Sequence, residues 1–243
     1  EEYVGMGATP PHDIIGQEYA GYLPTGDGSE DVRAWMDASR PVLADHPVNR
    51  KRIAAGKAPG NSTWLWGQGN APTLPTYADK YGIVGKAISA VDLVRGIARY
   101  AGLEVLHVDG ITGFLDTNYV GKGEVGLASL DTADFVYIHV EAPDEAAHLG
   151  DASAKIEAIE AIDREIVSRA LDYAGAHADA RIAILPDHIT AIPTRTHAHG
   201  AVPFTACGPG IEPDDAAAYS EAVGAASDIS FADGHLWMDW FLG

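Results

Sequence analysis

The chain has 243 residues, enough to bury a substantial core in one large domain or two unequal ones, and 47% of them are hydrophobic against 21% charged, the balance of an ordinary globular protein. Sixteen Lys and Arg against thirty-five Asp and Glu give a formal charge of −19, a surface that repels nucleic acid and anionic lipid because both are bound mainly through cationic side chains. No apolar run approaches the roughly 20 residues that span a bilayer, the opening residues do not read as a basic-then-apolar leader, and the single cysteine, Cys207, excludes an intramolecular disulfide framework. The cytoplasm is the expected compartment, and no nucleic acid or membrane is an expected partner.

Two regimes succeed one another along the chain. Residues 1–75 are irregular, with turn signals at Pro10-Pro11, Gly26-Asp27-Gly28 and Pro59-Gly60-Asn61. One helix is predicted over residues 29–45, with Val32, Trp35, Met36, Val42 and Leu43 on one side, and a short aromatic strand at Trp64-Leu65-Trp66. Ala71 to Pro75 reads as a linker. From about residue 82 strands and helices alternate: strands at 82–89, 104–108, 135–140, 181–185 and 202–206, helices at 90–100, 123–130, 152–174 and 234–242. Such alternation argues for an α/β domain with a largely parallel sheet covered by helices on both faces, and in such sheets ligands sit beyond the carboxyl ends of the strands.

Three groups of acids and histidines fall at that position. Val140-Glu141-Ala142-Pro143 ends one strand before Asp144, and His148 comes four residues on, within reach of the same ion if the segment coils. Leu185-Pro186 likewise leads into Asp187 and His188, and Thr196-His197-Ala198-His199 comes next in a loop. Each group alone also fits a plain structural role: Asp144 as a helix cap with His148 on the surface, Asp187 and His188 as a hydrogen-bonded turn, and either His197 or His199 as a solvated loop residue. Their coincidence at three strand ends points to divalent metal, since mixed carboxylate and imidazole shells suit Zn, Mn or Co and admit Mg where water fills positions. There is no Gly-x-Ser-x-Gly elbow and no phosphate loop, and Cys207, beside an apolar strand, is expected to be a buried structural thiol.

Ala142-Pro143-Asp144-Glu145-Ala146-Ala147-His148, Leu185-Pro186-Asp187-His188, and Arg195-Thr196-His197 with Val202-Pro203-Phe204 resemble the cofactor-independent phosphoglycerate mutases, in their archaeal-type branch within the alkaline phosphatase superfamily. Thr9-Pro10-Pro11-His12-Asp13-Ile14, Trp64-Leu65-Trp66-Gly67-Gln68-Gly69 and Asp116-Thr117-Asn118-Tyr119-Val120-Gly121-Lys122 extend the likeness over nearly the whole chain. The resemblance implies an alkaline-phosphatase-like core, residues 76–243, preceded by part of a smaller inserted α+β domain that handles substrate, residues 1–75. It implies two divalent ions, by preference Mn, with no requirement for 2,3-bisphosphoglycerate. Asp144, His148 and His197 would hold one ion; Asp187 and His188 would supply part of the other shell. Arg50, Arg52 and Lys122 would hold the carboxylate and phosphate of phosphoglycerate.

The sequence departs from the family pattern at Ala147, where Gly is usual, and at Ala198, where Thr is usual; His199 matches no family ligand. No Asp-Gly segment with a downstream nucleophilic Ser precedes Thr9, so the chain is expected to lack the nucleophile and to be inactive alone as a mutase. Two other functions remain open on the sequence: a phosphotransferase of the same branch resembling homoserine kinases, and a non-catalytic metal-binding domain. The sequence does not specify an oligomeric state.

Overall fold

A computed structural model describes residues 3–243. The chain divides into two compact units, Glu1–Pro72 and Thr73–Gly243. In the first, α1 (Ser29–Ala44) and α2 (Pro47–Ala54) are the regular elements, with a single bridge between Gly7 and Thr25. Helix α1 buries Val32 and Met36 against Met6, while Trp35 and Val42 from the expected apolar side stay more than half exposed. Trp64 packs against the same cluster and donates its indole N–H to the Thr9 carbonyl at 2.8 Å. No strand forms over residues 64–66: this tryptophan is held by its side chain, and its backbone joins no ladder.

The second unit runs α3 (Tyr77–Tyr81), β1 (Gly85–Ile88), α4 (Asp92–Tyr100), β2 (Glu104–Val105), α5 (Tyr119–Ala128) and β3 (Phe135–Ile138). It continues with α6 (Ala142–Leu149), α7 (Ala152–Ile162), a π-helical turn (Asp163–Val167) and α8 (Ser168–Ala176). Then come β4 (Ile182–Ile184), β5 (Ile189–Ala191), β6 (Thr196–Ala198), β7 (Thr205–Cys207), α9 (Glu221–Ala225) and α10 (Trp237–Leu242). Strands β2, β1 and β3 form a parallel sheet in that order, Ile88 pairing with Ile138. Successive residues of β1 face opposite sides. Ala87 joins Ala98 of α4 and Leu103 on one face, and Ile88 lies under Gly126 of α5 on the other.

The expected α/β architecture with helices on both faces of a parallel sheet therefore holds for β1 to β3. The later strands differ. β4 pairs with β7, and β5 with β6, both antiparallel. The predicted strand at 202–206 begins only at Thr205, and Cys207 at its end is exposed, not buried, because β7 gains cover from one partner strand alone. Helix α5 starts four residues earlier than the apolar pattern indicates, because the Asn118 side chain accepts from Gly121 N–H at 2.8 Å and caps it there.

The predicted long helix at 152–174 is interrupted by the π turn, and its buried face before that turn is made largely of alanines. Ala154, Ala158 and Ala161 are buried, while Ile156 and Ile159 are about half exposed. Alanines allow close helix approach, and the extra residue of a π turn rotates α8 relative to α7. The closest approach is at Gly123 of α5, where a Cβ would lie 2.9 Å from the Glu165 carbonyl oxygen and 3.6 Å from Ile166 Cα. Backbone cannot give way as a flexible side chain can. Gly123→Val is expected to lower stability by about 1–3 kcal/mol through overpacking. Gly96→Ala, in the open middle of α4, is expected to raise it by up to about 1 kcal/mol. Urea unfolding of both variants checks the contrast; equal shifts would contradict it.

Candidate metal centre

Glu141 stands at the N-cap of α6 and Pro143 in its first turn, where the missing proline N–H is not needed by the helix. Ala142, Ala146 and Ala147 are fully buried and anchor one face of α6. Asp144 and His148, one turn apart, lie on another, and the Asp144 Oδ2 and His148 Nε2 atoms are 3.2 Å apart. Asp144 is thus not the cap but a first-turn carboxylate, favoured there by the helix dipole. Glu141 and Glu145 lie close beside it.

The β5–β6 hairpin faces this helix. Thr190 and His197 are cross-strand partners, so their side chains project from the same face. His197 Nε2 is 3.4 Å from Asp144 Oδ1 and 3.2 Å from His148 Nε2. The buried Thr190 hydroxyl donates to Asp144 Oδ1 through a short hydrogen bond and lies 3.1 Å from His188 Nδ1. His188 lies against His197 with centroids 4.0 Å apart and planes tilted by 41°, and its Nε2 is 3.5 Å from Asp187 Oδ2. At the hairpin turn Arg195 adopts a left-handed φ of 56°, a conformation that non-glycine residues rarely take. Its carbonyl meets His148 Nδ1 at 2.9 Å.

That last contact carries the fit to a metal ion. A carbonyl oxygen can only accept, so His148 Nδ1 carries a hydrogen and Nε2 is the nitrogen turned to the cluster. His148 Nε2 and His197 Nε2 lie 3.2 Å apart, with Asp144 Oδ2 3.2 Å from the first and Asp144 Oδ1 3.4 Å from the second. Tetrahedral ligands at the usual metal–nitrogen and metal–oxygen lengths of about 2.0–2.1 Å stand about 3.3–3.4 Å from one another. The donor set and its spacing suit a divalent cation. Asp187 and His188 form a separate pair beside it, and His199, past the end of β6, is exposed and outside the cluster.

Behind the cluster lies a partly buried polar network centred on His139, which no sequence motif singled out. Ser89, just past β1, has its hydroxyl 3.1 Å from His139 Nδ1, and His139 Nε2 is 3.3 Å from Glu141 Oε2. Burial pushes the His139 imidazole below its ordinary pKa. Burial, reinforced by the Asp144, Glu145 and Asp187 charges, raises the Glu141 carboxyl to about 7. Lys122 of α5 is fully buried and its Nζ donates to the His139 carbonyl at 2.9 Å. Arg50 and Arg52 of α2 belong to the other unit, where their side chains donate to the Asp45 and Ala58 carbonyls. The one signal that could have found His139 is its place: it comes immediately after β3, as Ser89 comes after β1.

Acids and histidines gathered from the helix after β3 and from an antiparallel hairpin are the kind of site that metal-dependent α/β enzymes carry, and residues 14–233 match the description of the metalloenzyme superfamily. The chain belongs to that superfamily. It is 45% identical over 238 residues to 2,3-bisphosphoglycerate-independent phosphoglycerate mutase 2 of Methanothermobacter thermautotrophicus, an alignment covering 98% of this chain and 59% of the relative. It is 50% identical over 197 residues to the 2,3-bisphosphoglycerate-independent phosphoglycerate mutase of Methanosarcina acetivorans, covering 81% of this chain and 50% of that one. A solved protein of Pyrococcus horikoshii superimposes with a TM-score of 0.66 at 28% identity, over 82% of this chain and 52% of its own. The cofactor-independent phosphoglycerate mutase of Thermoplasma acidophilum shares the fold, with a TM-score of 0.53 at 23% identity over 88% and 51%. The chain thus spans little more than half the length of the curated relatives it matches. No helix among the described residues is long and apolar enough to cross a membrane.

Burial lowers the Lys122 ammonium from 10.5 to about 8, with Glu141 opposing the shift. Between these values the unfolded chain binds the proton and the folded one does not, so this group makes stability rise with pH from about 8 to about 10.5. Lys122→Met is expected to remove that rise. Urea midpoints at about pH 8 and about pH 10 check it; an unchanged slope in the variant would contradict the assignment.

Proposed function

We propose that a protein containing this chain is a 2,3-bisphosphoglycerate-independent phosphoglycerate mutase, an isomerase that interconverts 2- and 3-phosphoglycerate at a two-metal site. The observation that carries the reading is the convergence of Asp144, His148 and His197, in a chain whose relatives bear that name. In this reading Asp144, His148 and His197 hold one divalent ion, and Asp187 and His188 contribute to the shell of a second. Manganese is the preferred ion, and the soluble cytoplasm the expected compartment.

Bound ions of this kind lower the pKa of a serine nucleophile and neutralise charge on the phosphoryl group in flight. The nucleophile itself is assigned to no residue of this chain, so a phosphoserine would form elsewhere in the protein. The roles of these residues rest on their geometry. The Arg195 carbonyl keeps the His148 Nε2 lone pair turned to the ion. The helix holds Asp144 one turn away from it. Arg50 and Arg52 would meet the anionic groups of the substrate, a small phosphorylated glycerate. For Lys122, full burial on the His139 carbonyl favours support of the strand end over contact with substrate.

Isothermal titration of the metal-stripped chain with Mn²⁺ or Zn²⁺ tests the site. Asp144→Ala and His197→Ala are expected to weaken binding by more than the roughly 100-fold typical of losing an outer partner. His199→Ala is expected to leave it unchanged. Equal losses in the two histidine variants would overturn the ligand assignment. Activity is tested by mixing the chain with the part of the Methanothermobacter relative that lies outside the aligned region, with enolase reporting 2-phosphoglycerate. The mixture is expected to convert 3-phosphoglycerate and the chain alone to be inactive. A folded, metal-loaded mixture without conversion would overturn the mutase reading.

A further inference from the structure

Thr190 stands between the two groups of acids and histidines, and its hydroxyl has a single hydrogen to give. Asp144 is a carboxylate and can only accept, and the short contact from Thr190 Oγ1 to its Oδ1 commits the hydrogen there. If the hydrogen went instead to His188, two acceptor oxygens would face one another in that short contact. With the hydrogen spent on Asp144, Thr190 offers His188 only lone pairs. The 3.1 Å contact then places a hydrogen on His188 Nδ1, and Nε2, 3.5 Å from Asp187 Oδ2, is the nitrogen left to meet a metal. Thr190 is 5% exposed, so water cannot readily replace either bond. Its backbone is pinned as well: Lys155 of α7 donates its Nζ to the Thr190 carbonyl at 2.8 Å.

We propose that Thr190 is a positioning residue that couples the two half-sites, orienting the Asp144 carboxylate of one and setting the tautomer of His188 in the other through one hydroxyl. The coupling to metal binding rests on the two-ion reading of the proposed function; the hydrogen-bond arrangement does not. Because Thr190 and His197 are paired across the hairpin, the same register that presents His197 to Asp144 also presents this hydroxyl. Ligand geometry and outer support are therefore set by one element.

The test compares wild type, Thr190→Ser and Thr190→Val, with folding of each checked by circular dichroism. In the metal-stripped, ¹⁵N-histidine-labelled chain, held about two pH units above the ordinary histidine value of roughly 6.5, long-range proton–nitrogen correlations report the His188 tautomer. The Nδ1–H form is expected in wild type and Thr190→Ser, and its preference lost in Thr190→Val. Titration with Zn²⁺ is expected to show affinity about 10–100-fold weaker in Thr190→Val and restored in Thr190→Ser, the size of effect typical of an outer-shell partner. An Nε2–H tautomer in wild type, or wild-type affinity and tautomer in a folded Thr190→Val, would overturn the proposal. A wild-type chain with the expected tautomer and no affinity for metal would overturn the metal reading and the coupling drawn from it, while supporting the hydrogen-bond arrangement.

Discussion

The Asp144 carboxylate meets side chains from three directions: His148 one turn along its own helix, His197 from β6 and Thr190 from β5. Everything that positions the site can be traced to keeping those elements in contact. On the helix side, the fully buried alanines of α6 lock its inner face and leave no freedom to rotate Asp144 away. On the hairpin side, a left-handed Arg195 turns its carbonyl onto the imidazole it orients, and such a conformation for a non-glycine residue costs about 1–2 kcal/mol unless its surroundings stabilise it. The turn spends local strain on the orientation of one ring.

The electrostatics arise from the same crowding. A chain with a formal charge of −19 gathers Glu141, Asp144, Glu145 and Asp187 around one strand end. Burial, and then the repulsion of neighbouring carboxylates, make Glu141 hold its proton to about 7. A divalent cation relieves that repulsion where a buried lysine does so only in part. Lys122, driven below its ordinary range by burial, is charged at neutral pH yet held at a cost. A site this rich in carboxylates is one where a bound cation lowers the electrostatic cost.

Much of the site is legible in the residues alone. The strand–proline–acid device is local, and Asp144 with His148 has helical spacing, so their meeting needs only that α6 forms. The parallel β1–β3 sheet is foreshadowed by apolar runs of strand length. The hairpin is not legible, because Ile189 to Ala191 and Thr196 to Ala198 are three-residue strands whose pairing depends on the Arg195 turn rather than on apolar alternation. Without the hairpin Thr190 is invisible, and only the family resemblance separates His197 from His199. His139 escapes notice because it belongs to no acid–histidine string; only tertiary packing joins it to Ser89 and Glu141. In α7 close packing selects small residues, so Ala154, Ala158 and Ala161 carry the contact while Ile156 and Ile159 stay half exposed.

The central claim is that Asp144, His148 and His197 bind one ion together. X-ray absorption of the chain loaded with one equivalent of Zn²⁺ reads that shell directly. The expected first shell contains two imidazoles and carboxylate oxygen at about 2.0–2.1 Å, with one imidazole contribution lost in the His197→Ala protein. A shell of oxygen alone, or one unchanged by that substitution, would contradict it.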